Sequence, residues 1–306
     1  MDNRSIKSQL LSRLIYSNAI RVRHKESELP FWYTSGKPGA FYINVEKIAG
    51  ESVSVKLDEI NDILASDQSR HDMSTAITKL IVRLLDSEAE YAKAMHLLTN
   101  FYTSTGKKPN AISGGERRDW FFSIPIARQL GVPHVFLFKD GSTCTINSEG
   151  TSPSMNPGTN VIHVSDIVNT GSSYKRYWLP ALARMDMLSR ETYTVVIRGT
   201  EGLNLLKENN VSVVSPLTMD ADAFHFAYEI GLINRFALDD VQLYLESPRE
   251  WTRQLLKTSE EKILLHAQHL DDVQKERLSM FLRDDPYGLA EEFPRFFNHT
   301  VDSVRS

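Results

Sequence analysis

A run rich in β-branched residues, Val161-Ile162-His163-Val164-Ser165-Asp166-Ile167-Val168, breaks into Asn169, Thr170, Gly171, Ser172 and Ser173. The run suits a buried parallel strand. The apolar and aromatic segment from Tyr174 to Leu188 comes next, with helical spacing. Where such a loop enters a helix, unpaired backbone N–H groups, hydroxyl donors and the positive end of the helix dipole converge, which is chemistry for a phosphate. Asp166 stands at the strand end, where a carboxylate could accept hydrogen bonds from sugar hydroxyls. A plainer reading also fits: Asn169 or Thr170 caps the helix, and Asp166 is a solvated strand-end acid.

A second group of candidates lies in Ala111-Ile-Ser-Gly-Gly-Glu-Arg-Arg-Asp-Trp120. Gly114 and Gly115 permit backbone approach to an anion, and Arg117 and Arg118 supply bidentate cationic forks. Read alone, the two arginines beside Glu116 and Asp119 equally describe a surface salt-bridge cluster. Lys139 closes the next strand, and Arg198 ends a later one, where it reads alone as a strand-end surface cation. His266 and His269, beside Asp271 and Asp272, lack a third clear ligand and read as a solvated face. Cys144 has no His-Asp arrangement around it to make it a nucleophile.

The elements that must carry these residues alternate between strand and helix. Residues 4–23 show an apolar stripe at helical spacing, and Phe31 to Asn44 read as two aromatic strands around a Gly/Pro turn. The pattern from His71 to Tyr102 predicts one long crossover helix. Phe121 to Leu130 predicts a helix that starts or kinks near Pro125. Strands are predicted over 132–138, 161–168, 192–197 and 211–217, with a helix over 203–209. Ser142 to Asn160 predicts a structureless insert of lid type. Beyond Asp220 the chain is helical, with Ser247 and Pro248 opening a capped helix. The expected segments are 1–60, 61–220 and 221–306.

The chain has 306 residues, 41% of them apolar and 24% charged, with a net charge of −4. That is ample for a globular core. The charge balance speaks against nucleic acid as a partner, because phosphate neutralisation needs clustered Lys and Arg. One cysteine fits a reducing compartment. No apolar run approaches membrane-spanning length and the first residues lack an apolar signal core, so a cytoplasmic protein with no membrane partner is expected.

Taken in order, the strand, Asp166, two apolar positions and Thr170-Gly171-Ser172-Ser173 resemble the phosphate-and-ribose loop of the type I phosphoribosyltransferases. Ser165 stands where that family has the first of two acids. Gly-Glu-Arg-Arg-Asp-Trp before a helix is similar to orotate phosphoribosyltransferase sequences. So is Thr34-Ser35-Gly36-Lys37 followed by Phe41-Tyr42-Ile43-Asn44, although Thr34 replaces a lysine and the basic lid motif is missing from 140–160. The resemblance implies an α/β fold: a parallel-sheet, Rossmann-like core with an N-terminal hood, here followed by a C-terminal helical extension. It implies an enzyme that transfers ribose 5-phosphate from phosphoribosyl pyrophosphate to a small base, a pyrimidine such as orotate, with Mg²⁺ arriving through the donor and a homodimer as the working form. The implied roles are Asp166 with Asn169, Thr170, Gly171, Ser172 and Ser173 for ribose 5-phosphate; Gly114, Gly115, Arg117, Arg118 and Lys139 for pyrophosphate; and Tyr42 and Arg198 for the base. Asp166 and Lys139 would be the catalytic pair. The substitutions at 165 and 34 and the missing lid motif leave a second reading, a non-catalytic sensor of phosphoribosyl pyrophosphate or a nucleotide on the same fold.

Overall fold

Seven strands between residues 111 and 218 form one sheet: β1 (Ala111–Gly115), β2 (His134–Leu137), β3 (Thr143–Ile146), β4 (Val161–Val168), β5 (Glu191–Ile197), β6 (Ser212–Val214) and β7 (Leu217–Thr218). The computed structural model describes residues 2–50, 52–267 and 269–298. The strand order is β6-β5-β4-β1-β2-β3, with β7 also pairing on β5. Every pairing is parallel except β2 with β3. The β1–β4 register sets Ser113 beside His163, and the β4–β5 register sets Ser165 beside Thr194. The loops after β1 and β4 thus leave the carboxyl edge of adjacent strands, where open α/β sheets bind ligands.

Two compact units divide the chain, Met1–Ala19 with Asn44–Met219, and Ile20–Ile43 with Asp220–Ser306. The hood strands thus cluster with the C-terminal helices, a partition other than the three consecutive segments expected.

In the first unit the helices are α1 (Asn3–Tyr16), α2 (Val53–Ala65), α3 (Arg70–Ser87), α4 (Ala89–Ser104), α5 (Trp120–Leu130), α6 (Leu179–Arg184) and α7 (Glu201–Glu208). One sheet face packs Ala111, Val135, Leu137 and Val161 with Trp178, Leu182 and Leu206. On the other, Tyr193 meets the rings of Phe101 and Tyr102, and Trp120 meets Phe136 and Phe138. In the second unit Ile20–Val22 pairs antiparallel with Phe41–Ile43, and Phe31–Trp32 with Pro38–Gly39. The helices α8 (Ala221–Glu229), α9 (Arg235–Glu246), α10 (Pro248–Ala267) and α11 (Asp272–Asp284) complete this unit's main elements. Ser247 Oγ caps α10 by accepting from Glu250 N at 3.3 Å.

Several elements differ from the sequence reading for identifiable reasons. The apolar stripe over 4–23 stops being helical at Tyr16, because Asn18 takes a left-handed backbone (φ 58°) and Ile20 enters a strand. The single crossover helix is two, α3 and α4, divided at Glu88. Pro125 neither starts nor ends α5, which runs from Trp120. The carbonyl it leaves without a helical donor, that of Phe121, accepts instead from the buried Tyr91 hydroxyl. The insert at 142–160 is not structureless throughout. Thr143-Cys-Thr-Ile forms β3 against β2, joined by a turn in which Gly141 has φ 83° and Asp140 Oδ1 accepts from Ser142 N at 2.8 Å. Asp140-Gly141 between the apolar run Val135–Phe138 and Thr143-Cys-Thr-Ile146 is a hairpin signal. Cys144 is half-buried within this edge strand.

Candidate functional site

The loop after β4 covers Asn169 to Ser173. Gly171 has φ 74°, and a Cβ there would lie 3.3 Å from Gly202 Cα, so glycine suits both the backbone angle and the close approach of α7. Gly202 N donates to Asn169 O at 2.8 Å, which pins the loop onto α7. Asn169, Thr170, Ser172 and Ser173 are exposed. Among the described residues the amides of Thr170, Gly171, Ser172 and Ser173 have no backbone acceptor, and the hydroxyls of Thr170, Ser172 and Ser173 have no partner. Plain capping by Asn169 or Thr170 would use a side chain as acceptor, and no side-chain cap bond is made at the start of the helical segment Tyr174–Trp178 that leads into α6. These donors are what an anion needs.

Asp166 is not a solvated acid. It is 9% exposed, and burial, with Asp119 and Glu46 nearby, pushes its carboxyl well above the ordinary value of 3.8. Arg118 and the Ile167 N–H, which donates to Asp166 Oδ1 at 2.6 Å, pull the other way without cancelling the rise. Ser165 is 2% exposed and turns to the opposite face. There its Oγ accepts from Tyr174 Oη at 2.8 Å, and Tyr174 Oη lies 2.7 Å from Thr192 Oγ1.

Gly114 and Gly115 lie within β1, not in a loop, and their lack of Cβ serves packing. A Cβ at Gly114 would fall 2.0 Å from Ser123 Oγ, and one at Gly115 would fall 2.2 Å from the Trp178 ring. Beyond them the amides of Arg117, Arg118 and Asp119 have no acceptor among the described residues, so the unpartnered backbone donors lie after the glycines. The Glu116–Arg117 peptide is cis. The arginine forks are held back against the protein: Arg118 pairs with the buried Glu46 at 3.0 Å, and Arg117 donates to Asn61 and Leu57 of α2. Lys139 is exposed, and its amide donates to Glu116 Oε2 at 3.0 Å. Arg198 follows β5, its amide donating to Val168 O at 2.8 Å. Tyr42 belongs to the second unit, stacked on Phe31 with the Arg21 guanidinium over both rings. His266 and His269 have ring centroids 6.0 Å apart. Among the described residues no three His, Cys, Asp or Glu side chains gather in a way that could hold a metal ion.

Asp119 is the residue that sequence reasoning overlooked. Its Oδ2 accepts from Gly115 N at 3.1 Å and its Oδ1 from Asp166 N at 3.1 Å, so one carboxylate ties the loop after β1 to the carboxyl ends of β1 and β4. His163 Nε2 is 3.4 Å from Asp119 Oδ2, and His163 Nδ1 is 3.1 Å from Ser113 Oγ. The available signal was the two-residue alternation of Ser113, His163, Ser165, Thr192 and Thr194. It puts polar groups on one buried sheet face, where they must find each other.

No family model and no curated protein sequence matches the chain. Its structure is similar to that of UMP synthase from Leishmania donovani, with a TM-score of 0.53 at 13% identity over 78% of this chain. The match spans 41% of the length of that protein. Orotate phosphoribosyltransferase from Francisella tularensis aligns at a TM-score of 0.49, with 11% identity over 76% of this chain and 95% of that one. The enzyme of the same name from Aeropyrum pernix aligns at 0.41, with 18% identity over 72% and 99%. Of these three, UMP synthase alone aligns at a TM-score above 0.5. The chain has the α/β fold of the type I phosphoribosyltransferases, with a helical extension after the core.

Proposed function

We propose that this protein is a phosphoribosyltransferase that moves ribose 5-phosphate from phosphoribosyl pyrophosphate to a nitrogenous base, orotate or a related pyrimidine, releasing pyrophosphate. The observation that carries this reading is the pair of unpartnered amide groups, at 170–173 and at 117–119, leaving the same edge of adjacent strands. One fits a terminal phosphate and the other a diphosphate, with a buried carboxyl between them.

In this reading Thr170 to Ser173, with Asn169, hold the 5-phosphate and Asp166 takes the ribose hydroxyls. Burial and the neighbouring carboxylates favour the protonated form of Asp166, and a cation brought close with the ligand favours its ionised form. Arg117, Arg118 and Lys139 neutralise pyrophosphate; Arg118 must leave Glu46 to do so, and Glu46 then stands ready to receive it on release. Gly114 and Gly115 act by packing under this loop. Magnesium fits as a passenger of the diphosphate, since the chain offers carboxylates but no cage among its described residues, and when bound it offsets leaving-group charge. Positive charge developing at the anomeric carbon needs positioning and electrostatic support more than covalent help. Arg198 meets the base. For Tyr42 the proposal rests on the resemblance and predicts that Tyr42→Leu reorders the preference among bases. A homodimer working in the cytoplasm completes the reading, and the single half-buried cysteine and the −4 net charge accord with a reducing compartment and with no nucleic-acid partner.

A sensor that binds the same ligand without turnover is the second reading. It is favoured by Ser165, whose hydroxyl is committed to Tyr174 and leaves Asp166 as the only acid contributed by the end of β4. Calorimetry with phosphoribosyl pyrophosphate, and pyrophosphate release over a panel of pyrimidines and purines, test both. Binding with release for one base supports the transferase, and binding without release for any base supports the sensor. No binding at millimolar ligand overturns both.

A further inference from the structure

A cavity of about 360 Å³ lies at the opposite, amino-terminal edge of β2. It is walled by α3, the last turn of α5 and the strand-and-turn segment 146–150, all within the first unit. Its floor is apolar, with Val82, Ile124, Ala127, Val132 and Ile146. Lys79 and Arg83 on α3 and Arg128 on α5 stand around it, all exposed and without an ion-pair partner among the described residues. Lys79 and Arg83 are four apart on one helix, a like-charge spacing that is unfavourable unless an anion sits between them. Glu149 is the only acid in the lining and pairs with none of the three among the described residues.

Two polar atoms in the walls also lack partners. His134 is buried, its Nε2 is 2.8 Å from Ser123 Oγ, and its Nδ1 has no partner among the described residues. Burial, with His163 nearby, holds its pKa down to about 3, so this imidazole is a neutral hydrogen-bonding group and adds no fourth positive charge. Thr75 Oγ1 on α3 is likewise buried and unpartnered among the described residues. The volume falls in the range of small-ligand pockets, and an apolar lining with cationic side chains around it is the arrangement that selects an organic anion.

We propose that this cavity is a second binding site, for a small organic anion that combines an apolar ring with one phosphate or carboxylate group. The ring would lie on Val82, Ile124 and Ile146, and the anion between Arg83, Lys79 and Arg128. The site is separate from the loops at 114–119 and 166–173, so the inference stands whether or not the chain proves to be a transferase.

The test is calorimetry on the full chain with phenyl phosphate, benzoate, inorganic phosphate and phenol. Hydrogen exchange is read at 75–83, 127–134 and 146–150. Phenyl phosphate or benzoate should bind roughly tenfold or more tightly than inorganic phosphate or phenol, with exchange slowed at those segments. Arg83→Ala with Arg128→Ala should weaken binding by roughly tenfold or more, since each guanidinium makes charge-assisted bonds. Arg128→Lys, which keeps the charge, controls for lost packing. Thr170→Asp, which blocks the anion loop after β4, should leave this binding intact. The proposal is overturned if neither aromatic anion binds, or if Thr170→Asp abolishes binding while the double variant retains it. Sedimentation showing that Arg83 and Arg128 hold a second copy of the chain over the cavity would also overturn it.

Discussion

Replacing Asp119 by alanine tests whether one carboxylate ties the ends of β1 and β4 together. The side chain is buried and accepts from two backbone amides, those of Gly115 and Asp166, each at 3.1 Å. Alanine leaves both donors buried and unpaired, at about 1–3 kcal/mol each, or about 2–6 kcal/mol together. His163 Nε2 loses its only nearby acceptor among the described residues as well. Against this, Asp119 is one of the charges that raise the Asp166 pKa, so its removal returns part of the loss as relieved repulsion. The net effect should stay destabilising and near the middle of that range, about 3 kcal/mol, a large share of a typical total of about 5–15 kcal/mol. Asp119→Asn keeps one acceptor oxygen but turns an NH₂ toward the other amide, so it should lose roughly half as much. Because the chain forms two units, a single unfolding midpoint would mix them. Native-state hydrogen exchange resolved at Gly115 and Asp166 reads the effect locally. Exchange at both amides unchanged in Asp119→Ala, with urea stability within about 0.5 kcal/mol of the parent, would refute the tie.

Three further outcomes rest on the same geometry. Between the ordinary 3.8 and its raised folded-state value, Asp166 keeps a proton that the unfolded chain has released, so this group makes stability fall as pH rises. Asp166→Asn should therefore gain on the parent from about pH 4 upward, and a difference in urea midpoints that stays flat with pH contradicts the raised value. Gly115→Ala should cost about 1–3 kcal/mol by overpacking, because its Cβ meets the Trp178 ring, and quenching or shifting of tryptophan fluorescence should accompany it. In the second unit, Arg23 is 3% exposed and donates to Asp240 Oδ1 at 2.8 Å and to Glu26 O and Glu28 O at 2.9 Å. Arg23→Ala strands the Asp240 carboxylate and should cost about 3–5 kcal/mol, read as early unfolding of Trp251, whose Nε1 donates to that carboxylate. A variant as stable as the parent would show the pair to be dispensable.

Local pattern alone carried the alternation of strands and helices, the glycine-bearing loop after 161–168 and the capped helix at Pro248. Each depends on neighbours in the chain: β-branching, a positive φ at Gly171, a serine three residues before an amide. Features that depend on partners distant in sequence were decided by the tertiary structure. Pro125 sits inside a helix because Tyr91, from another helix, takes the carbonyl it frees. Gly114 and Gly115, which composition marked for an anion, serve Ser123 and Trp178. Asp119, read as part of a surface ion cluster, became the buried joint between the ends of two adjacent strands, and Asp166 became an acid whose carboxyl is pushed well above its ordinary value. A carboxylate's charge state follows from what surrounds it in space, and the sequence lists the groups without giving the distances between them.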